Sequence, residues 1–220
     1  AHTQNESMRE GQLHIAIAGA GATGVELAAE LYGSTRQLIE FGLDRIDADK
    51  HLKITIIEAA ERILPGLPPH LSDKVSKELQ GIGIDILTNE RITQATTDGF
   101  ETETGKFIPA GIKVWAAGIK APDFLADITG LETNRINQLV VRRTLQTTHD
   151  DNIFAFGDCA ACPMEGKDMN VPPRAQAAHQ QASMLLKTMK MRLHNDNNLP
   201  VYTYMDYGSL INMSQYSTVG

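Results

Sequence analysis

The hexapeptide Gly19-Ala20-Gly21-Ala22-Thr23-Gly24 constrains this chain more than any other feature. It follows the apolar, β-branched run 13–18 (LHIAIA), which reads as a buried strand. After it, residues 22–41 carry Val25, Ala28, Leu31, Leu38 and Ile39 largely on one helical face. A second apolar run, 53–58 (KITIIE), completes the pattern. Strand, glycine turn, helix and strand make a βαβ unit, which calls for parallel strands and a right-handed crossover. In G-x-G-x-x-G the first glycine permits the tight turn and the second lets the backbone approach a pyrophosphate. The third lets the helix pack closely on the strand. Free amides and the positive end of the helix dipole then hold the anion. With both strands and the helix in place, dinucleotide binding is expected rather than a merely structural turn.

Glu58 ends the second strand, where a carboxylate accepts hydrogen bonds from an adenine ribose and repels a 2′-phosphate. That favours NAD over NADP, although Arg62 nearby is a cation that blurs the preference. The spacing from the glycines exceeds the usual interval because residues 42–52 lengthen the crossover. Glu26 is expected in the first helical turn, where two roles stay open: support of the helix start, or the active site.

Beyond the βαβ unit, the break PGLPP at 65–69 precedes a helix that Ser72 can cap and that runs to about Gln80. Residues 84–87 read as a short strand, 92–109 as an antiparallel meander and 112–117 as another buried strand. Farther on, 139–141, 153–156 and 202–213 have strand character. Residues 175–193 form a helix with Ala178, Ala182, Leu185, Met189 and Leu193 along one side. The expected division is a near-complete domain over 10–120, part of another over 121–200, and the start of a third over 201–220. The second part has too few strands for a closed core of its own.

Composition narrows the function classes. Lys plus Arg is 20 against 27 Asp plus Glu, a net charge of −7 that disfavours nucleic acid and anionic lipid. Two cysteines make neither a disulfide scaffold nor a four-thiolate zinc site, and the scattered histidines support no metal cluster, so no metal is expected. Cys159 and Cys162 have C-x-x-C spacing, which leaves a packed thiol pair and a redox pair both open. No run is long enough for a membrane helix, and the polar first residues lack the core of a secretory signal, so a cytoplasmic setting is expected. A start without Met and an end without a boundary signal read as a piece of something longer.

The segments GAGATGVELAAEL, ITIIEAAERILPGL, VWAAGIKAP, IFAFGDCA and PPRAQAAHQQA, in that order, resemble type II NADH dehydrogenases. The closing YMDYGSLINMSQYSTVG is similar to theirs as well. These are non-proton-pumping, FAD-containing NADH:quinone oxidoreductases. The resemblance implies an α/β fold: a Rossmann-like NAD-binding domain, with parallel sheet and antiparallel meander, and part of a discontinuous FAD-binding domain. It implies NADH at Gly19, Gly21, Ala22, Thr23, Gly24 and Glu58, with Ala117 and Gly118 toward the nicotinamide. It implies FAD at Gly157, Asp158, Ala175 and Gln176.

The same resemblance tilts Glu26 toward function, near nicotinamide and flavin, and places Gln176 and Gln180 on the quinone side. Cys159 follows the Gly-Asp pair as in many relatives, which weakens a special redox role for it. The family's first FAD-binding glycine loop and its membrane-binding C-terminal helices are not found in these residues. The implied partners are NADH, a quinone and the inner face of the cytoplasmic membrane, with a homodimer compatible. Two alternatives stand beside this one: a non-catalytic dinucleotide-binding module, and a related flavoprotein reductase with another acceptor.

Overall fold

Strand β1 (His14–Ala18) runs parallel to β2 (Lys53–Ile57), pairing His14 with Lys53 through Ala18 with Ile57. Strand β3 (Ile84–Leu87) adds beside β2, and β7 (Ile112–Trp115) beside β1, giving the sheet order β3-β2-β1-β7. Helices α1 (Ala22–Glu40), α2 (Ala48–His51) and α3 (Pro69–Gly81) lie between strands in the chain. The computed structural model describes residues 11–40, 47–196, 198–213 and 218–219. Phe41, the first part of the lengthened crossover (42–46), the side chain of Ile39, and residues 214–217 and 220 of the closing segment lie outside the described residues.

Because side chains alternate across a strand, β1 sorts its residues onto two faces. Ile15 and Ile17 join Ile54, Ile56, Val25 and Leu79 in one core; Ala16 and Ala18 meet Phe100 and Ile108 in another. The second face is covered by the antiparallel strands β4 (Ile92–Ala95), β5 (Gly99–Thr102) and β6 (Phe107–Pro109). A strand covered on both faces reads as one continuous apolar run, as β1 does. Residues up to Gly118, joined by those from Ser209 onward, make one compact unit; Ile119–Gly208 make the other. In the first unit, β10 (Ile211–Asn212) pairs with β11 (Thr218–Val219), and Ile211 and Met213 enter its core. The stretch from 201 onward, expected as one piece, is thus divided between the two units.

Several local expectations are corrected. Helix α3 begins at Pro69, because proline suits the first helical position; Ser72 lies inside it, donating to the Ile63 carbonyl at 2.6 Å instead of capping. Strand β7 is a sheet edge with Ile112 54% and Trp115 60% exposed, not a buried strand. Residues 153–156 form only an isolated bridge at Phe154, and 202–210 form no strand.

In the second unit, helix α4 (Ala175–Leu193) turns Ala177, Gln181 and Thr188 inward, while Leu193 is 82% exposed. The apolar stripe expected at 178, 182, 185, 189 and 193 is therefore rotated, because two polar side chains occupy the buried face. The unit also has its own core, in which Leu139, Val141, Leu145, Ala155, Ala177 and Tyr202 are buried. Its only ladder among the described residues joins β8 (Leu139–Val140) to β9 (Ala160–Ala161). A closed core forms without a large sheet, contrary to expectation. Among the described residues no helix is long and apolar enough to cross a membrane.

Candidate functional site

The glycine turn joins β1 to α1, and sterics dictate two of its glycines. Gly19 has φ of +97°, and a Cβ there would lie 2.7 Å from the Ala116 carbonyl oxygen. A Cβ on Gly24 would lie 1.9 Å from the Gly19 carbonyl oxygen, so helix and turn close only around a bare Cα. Gly21 has no heavy atom within 4 Å of such a Cβ and faces open space. The Val25 amide makes the first helical bond, to Gly21 at 3.1 Å, so the amides of Ala22, Thr23 and Gly24 precede the helical ladder.

Glu58 lies just past β2 and is tied to this turn. The Ala20 amide donates to Glu58 Oε2 at 2.7 Å, and the Ala60 amide donates to Oε1 at 2.9 Å. The Leu64 amide returns a bond to the Ala20 carbonyl at 2.8 Å. Ala20 is therefore engaged inside the protein, and anion binding falls to the amides after it. A carboxylate offers about four acceptor sites, so both oxygens of Glu58 keep lone pairs for ligand hydroxyls. Arg62 donates to the carbonyls of Leu67 at 2.9 Å and Pro65 at 3.0 Å, so it folds the 62–68 loop rather than waiting for a phosphate.

A cleft of about 490 Å³ follows these groups, with Gly19, Gly21, Glu58, Pro65, Ala117 and Gly118 in its lining. It opens at the carboxyl ends of the parallel strands, where ligands bind in open α/β sheets. Sequence reasoning missed Glu90 and Trp115, which also line it. Both stand at or just beyond the carboxyl end of a strand, and that position was the available signal. Trp115 meets Phe100 edge to face, with ring centres 6.4 Å apart. Glu90 accepts from Lys106 Nζ and from Thr104 Oγ1, and these bonds, Lys106 first, hold its carboxyl at about 2.

Glu26 lies outside that cleft lining. Helix α1 starts at Ala22, so Glu26 opens the second turn rather than the first, and the dipole no longer explains it. Its Oε1 accepts the Asn212 amide at 3.0 Å, and it borders a separate hollow with Thr23 and Leu27.

In the second unit, Gly157 and Asp158 belong to a short 3₁₀ turn ending at Cys159. Buried Gln181 accepts the Gly157 amide at 2.6 Å, and Gln138 donates to the Asp158 carbonyl at 2.9 Å, leaving the Asp158 side chain exposed. Gln181 was missed in the sequence; a glutamine in a helix gives no sign that it is buried. Ala175 opens α4 and is exposed.

Gln176 and Gln180 are both engaged with the chain. Gln180 donates to the Met205 carbonyl at 2.8 Å and accepts its amide at 3.1 Å. Gln176 accepts the Tyr207 amide at 3.0 Å and donates to the Gly208 carbonyl at 3.1 Å. Each pairs with main-chain groups of 205–208 as a strand neighbour would, and 202–208 forms no strand. Both cysteines are free thiols. Burial pushes the Cys162 thiol up to about 11, which suits packing better than exchange.

A family model described as pyridine nucleotide-disulphide oxidoreductase matches residues 1–182. The chain is 45% identical over 211 residues to a type II NADH:quinone oxidoreductase of Haemophilus influenzae, across 96% of this chain and 47% of that protein. It is 30% identical to a type II NADH:quinone oxidoreductase of Staphylococcus aureus, across 96% of this chain and 52% of that one. A solved structure of NDH2 from Plasmodium falciparum in complex with NADH matches 94% of this chain and 57% of its own, with a TM-score of 0.80 at 20% identity. At that identity the likeness shows the fold, which agrees with the Rossmann-like α/β reading. The chain spans about half the length of the curated relatives it matches. With the family model covering most of its residues, the chain belongs to the pyridine nucleotide-disulphide oxidoreductase family.

Proposed function

We propose that this chain binds NADH in the cleft of its first unit and belongs to an NADH:quinone oxidoreductase of the relatives' length. The observation that carries the reading is the Glu58 carboxylate bound to the Ala20 amide at 2.7 Å beside the open space at Gly21. Acceptors for ribose hydroxyls thereby stand next to helix-start amides that can hold a diphosphate. The names of the Haemophilus and Staphylococcus relatives support the activity.

In this reading, residues 10–120 are the NADH domain and 121–200 the returning part of an FAD domain, while 201–220, the proposed start of a C-terminal domain, divide after Gly208 between the two compact units. Gly21, Ala22, Thr23 and Gly24 hold the diphosphate, while Gly19 shapes the turn. Ala117 and Gly118 border the nicotinamide end. Glu26 acts near the nicotinamide, held by the Asn212 amide. FAD, when bound, supplies the two-electron acceptor for the nicotinamide hydride.

Asp158 fits hydroxyl binding in that cofactor, because its exposed carboxylate rides on a turn braced by Gln181 and Gln138. Gly157 and Ala175 border it. Gln176 and Gln180 act on the quinone side as positioning residues, through the segment 202–208 that they hold. Membrane contact on the cytoplasmic face and a homodimer are both compatible with this reading.

The test is calorimetric titration of the purified chain with NADH, with NADH oxidation by quinone measured on a protein of the relatives' length. Saturable NADH binding and quinone-dependent turnover are expected. A chain that gives no binding heat, or a full-length protein that carries FAD without turnover, overturns the reading. Binding with neither flavin nor turnover supports the plain nucleotide-binding module.

A further inference from the structure

Three cations stand near the ribose end of the cleft, and each is already engaged. Arg62 is spent on main-chain carbonyls of its own loop. Arg91 pairs with Glu103 at 3.7 Å, a loose tie because both side chains are more than two-thirds exposed. Lys106 is the best held, its Nζ bonded to Glu90, whose side chain is only 4% exposed.

The hold on Lys106 is built into the backbone. The Glu90 amide donates to the Glu58 carbonyl at 2.9 Å, which sets Glu90 beside the proposed ribose acceptor in the cleft wall. The Glu103 amide donates to the Arg91 carbonyl at 2.8 Å, which anchors the β5–β6 turn against the same strand end. Within that turn, Thr104 Oγ1 donates to the second Glu90 oxygen at 2.7 Å, and the Lys106 amide donates to Thr102 Oγ1 at 3.2 Å.

We propose that Glu90 is a specificity residue: by binding Lys106 it withholds a cation from the ribose end, so a dinucleotide with a 2′-phosphate finds no lysine partner. This rests on the NADH reading above and deepens it. The lysine side chain is 57% exposed on a flexible four-carbon stem, so an ammonium released from Glu90 has room to reach a phosphate. Glu90 remains ionised through the neutral range, which keeps the lysine held wherever the protein works.

The experiment titrates the purified chain with NADH and NADPH by calorimetry, as wild type, Glu90→Gln, and Glu90→Gln with Lys106→Met. Wild type is expected to bind NADH and to bind NADPH much more weakly. Glu90→Gln is expected to tighten NADPH by about fivefold and to move NADH less than about twofold, from the usual worth of a partly exposed charge pair. The double variant is expected to lose that gain. An unchanged NADPH affinity in Glu90→Gln overturns the proposal. So does a double variant that keeps the gain, since loss of the Glu90 charge then suffices. Should Glu90→Gln fail to fold, Lys106→Met alone decides: NADPH binding no tighter than wild type supports the proposal, and tighter binding overturns it. A wild-type chain that binds neither dinucleotide overturns the NADH reading and this assignment together. A chain that binds NADH with an unmoved NADPH preference in the variants removes only the role of Glu90.

Discussion

In the first unit, main-chain groups mostly find main-chain partners: parallel ladders join β3, β2, β1 and β7, and the glycine turn reaches β2 through the bond from Gly19 to Ile57. In the second unit, side chains take much of that work. Gln138, Gln146, Gln176, Gln180, Gln181 and Arg143 each bond a main-chain group, several across more than twenty residues. The first unit is therefore specified by apolar runs and bare glycines, the second by individual amide side chains. Damage should spread differently in each: steric in the first, a lost bond at a time in the second.

The largest effect is expected from Gly24→Ala. Its Cβ would meet the Gly19 carbonyl oxygen at 1.9 Å, backbone against backbone, so helix and turn must separate. Loss of NADH binding and destabilisation of about 2–4 kcal/mol are expected, read by calorimetry and denaturant unfolding. A variant that melts and binds like wild type breaks the steric half of the comparison.

Next comes Gln181→Ala, which leaves the partly buried Gly157 amide without its partner. About 1–3 kcal/mol is the usual cost of such an orphan. Urea unfolding measures it, and a change under a few tenths would deny the side chain its structural role.

Gln180→Ala should do less to stability, about 1 kcal/mol, because its bonds to Met205 are solvent-exposed. It sharpens the contrast through hydrogen exchange: the Met205 amide should lose protection while those of β1 keep theirs. Equal protection in variant and wild type would show that something else holds the segment.

The smallest effect concerns pH. His14 is buried against Thr55 Oγ1 at 2.7 Å; burial first, and then Lys53, lower its pKa from the ordinary 6.5, against Asp85 and the Pro109 backbone, which raise it. With the folded value below the unfolded one, its contribution is full above pH 6.5 and fades as pH falls toward the folded value. Unfolding midpoints should drop over that window in wild type and stay flatter in His14→Asn. A slope that survives the substitution would locate the titration elsewhere.

Much of the first unit was legible because its signals are periodic or steric: the β1 run, the helix after it, the glycines, and an acid at a strand end. The ties of Glu58 to Ala20 and of Glu90 to Lys106 were not, since they cross 38 and 16 residues and leave no periodic trace. In the second unit, the α4 face was misjudged because Gln181 and Thr188 are buried while Leu193 is not. The stretch 202–208 resembles a strand in composition, yet its main chain bonds to glutamine side chains on a helix. Polar residues that replace a strand look like surface residues in a sequence. Glu26 came out ambiguous for a related reason, since its partner amide at Asn212 lies 186 residues away.

Substitution at Gly21 tests the central claim most directly, because a Cβ there would meet no heavy atom within 4 Å beyond its chain neighbours and so should leave the fold alone. NADH titration of Gly21→Val beside wild type, with thermal unfolding of both, separates binding from stability. The expected result is an unchanged melting temperature with NADH affinity reduced by more than about tenfold, as the new methyls fill the space assigned to the diphosphate. Wild-type affinity in the folded variant would contradict the account.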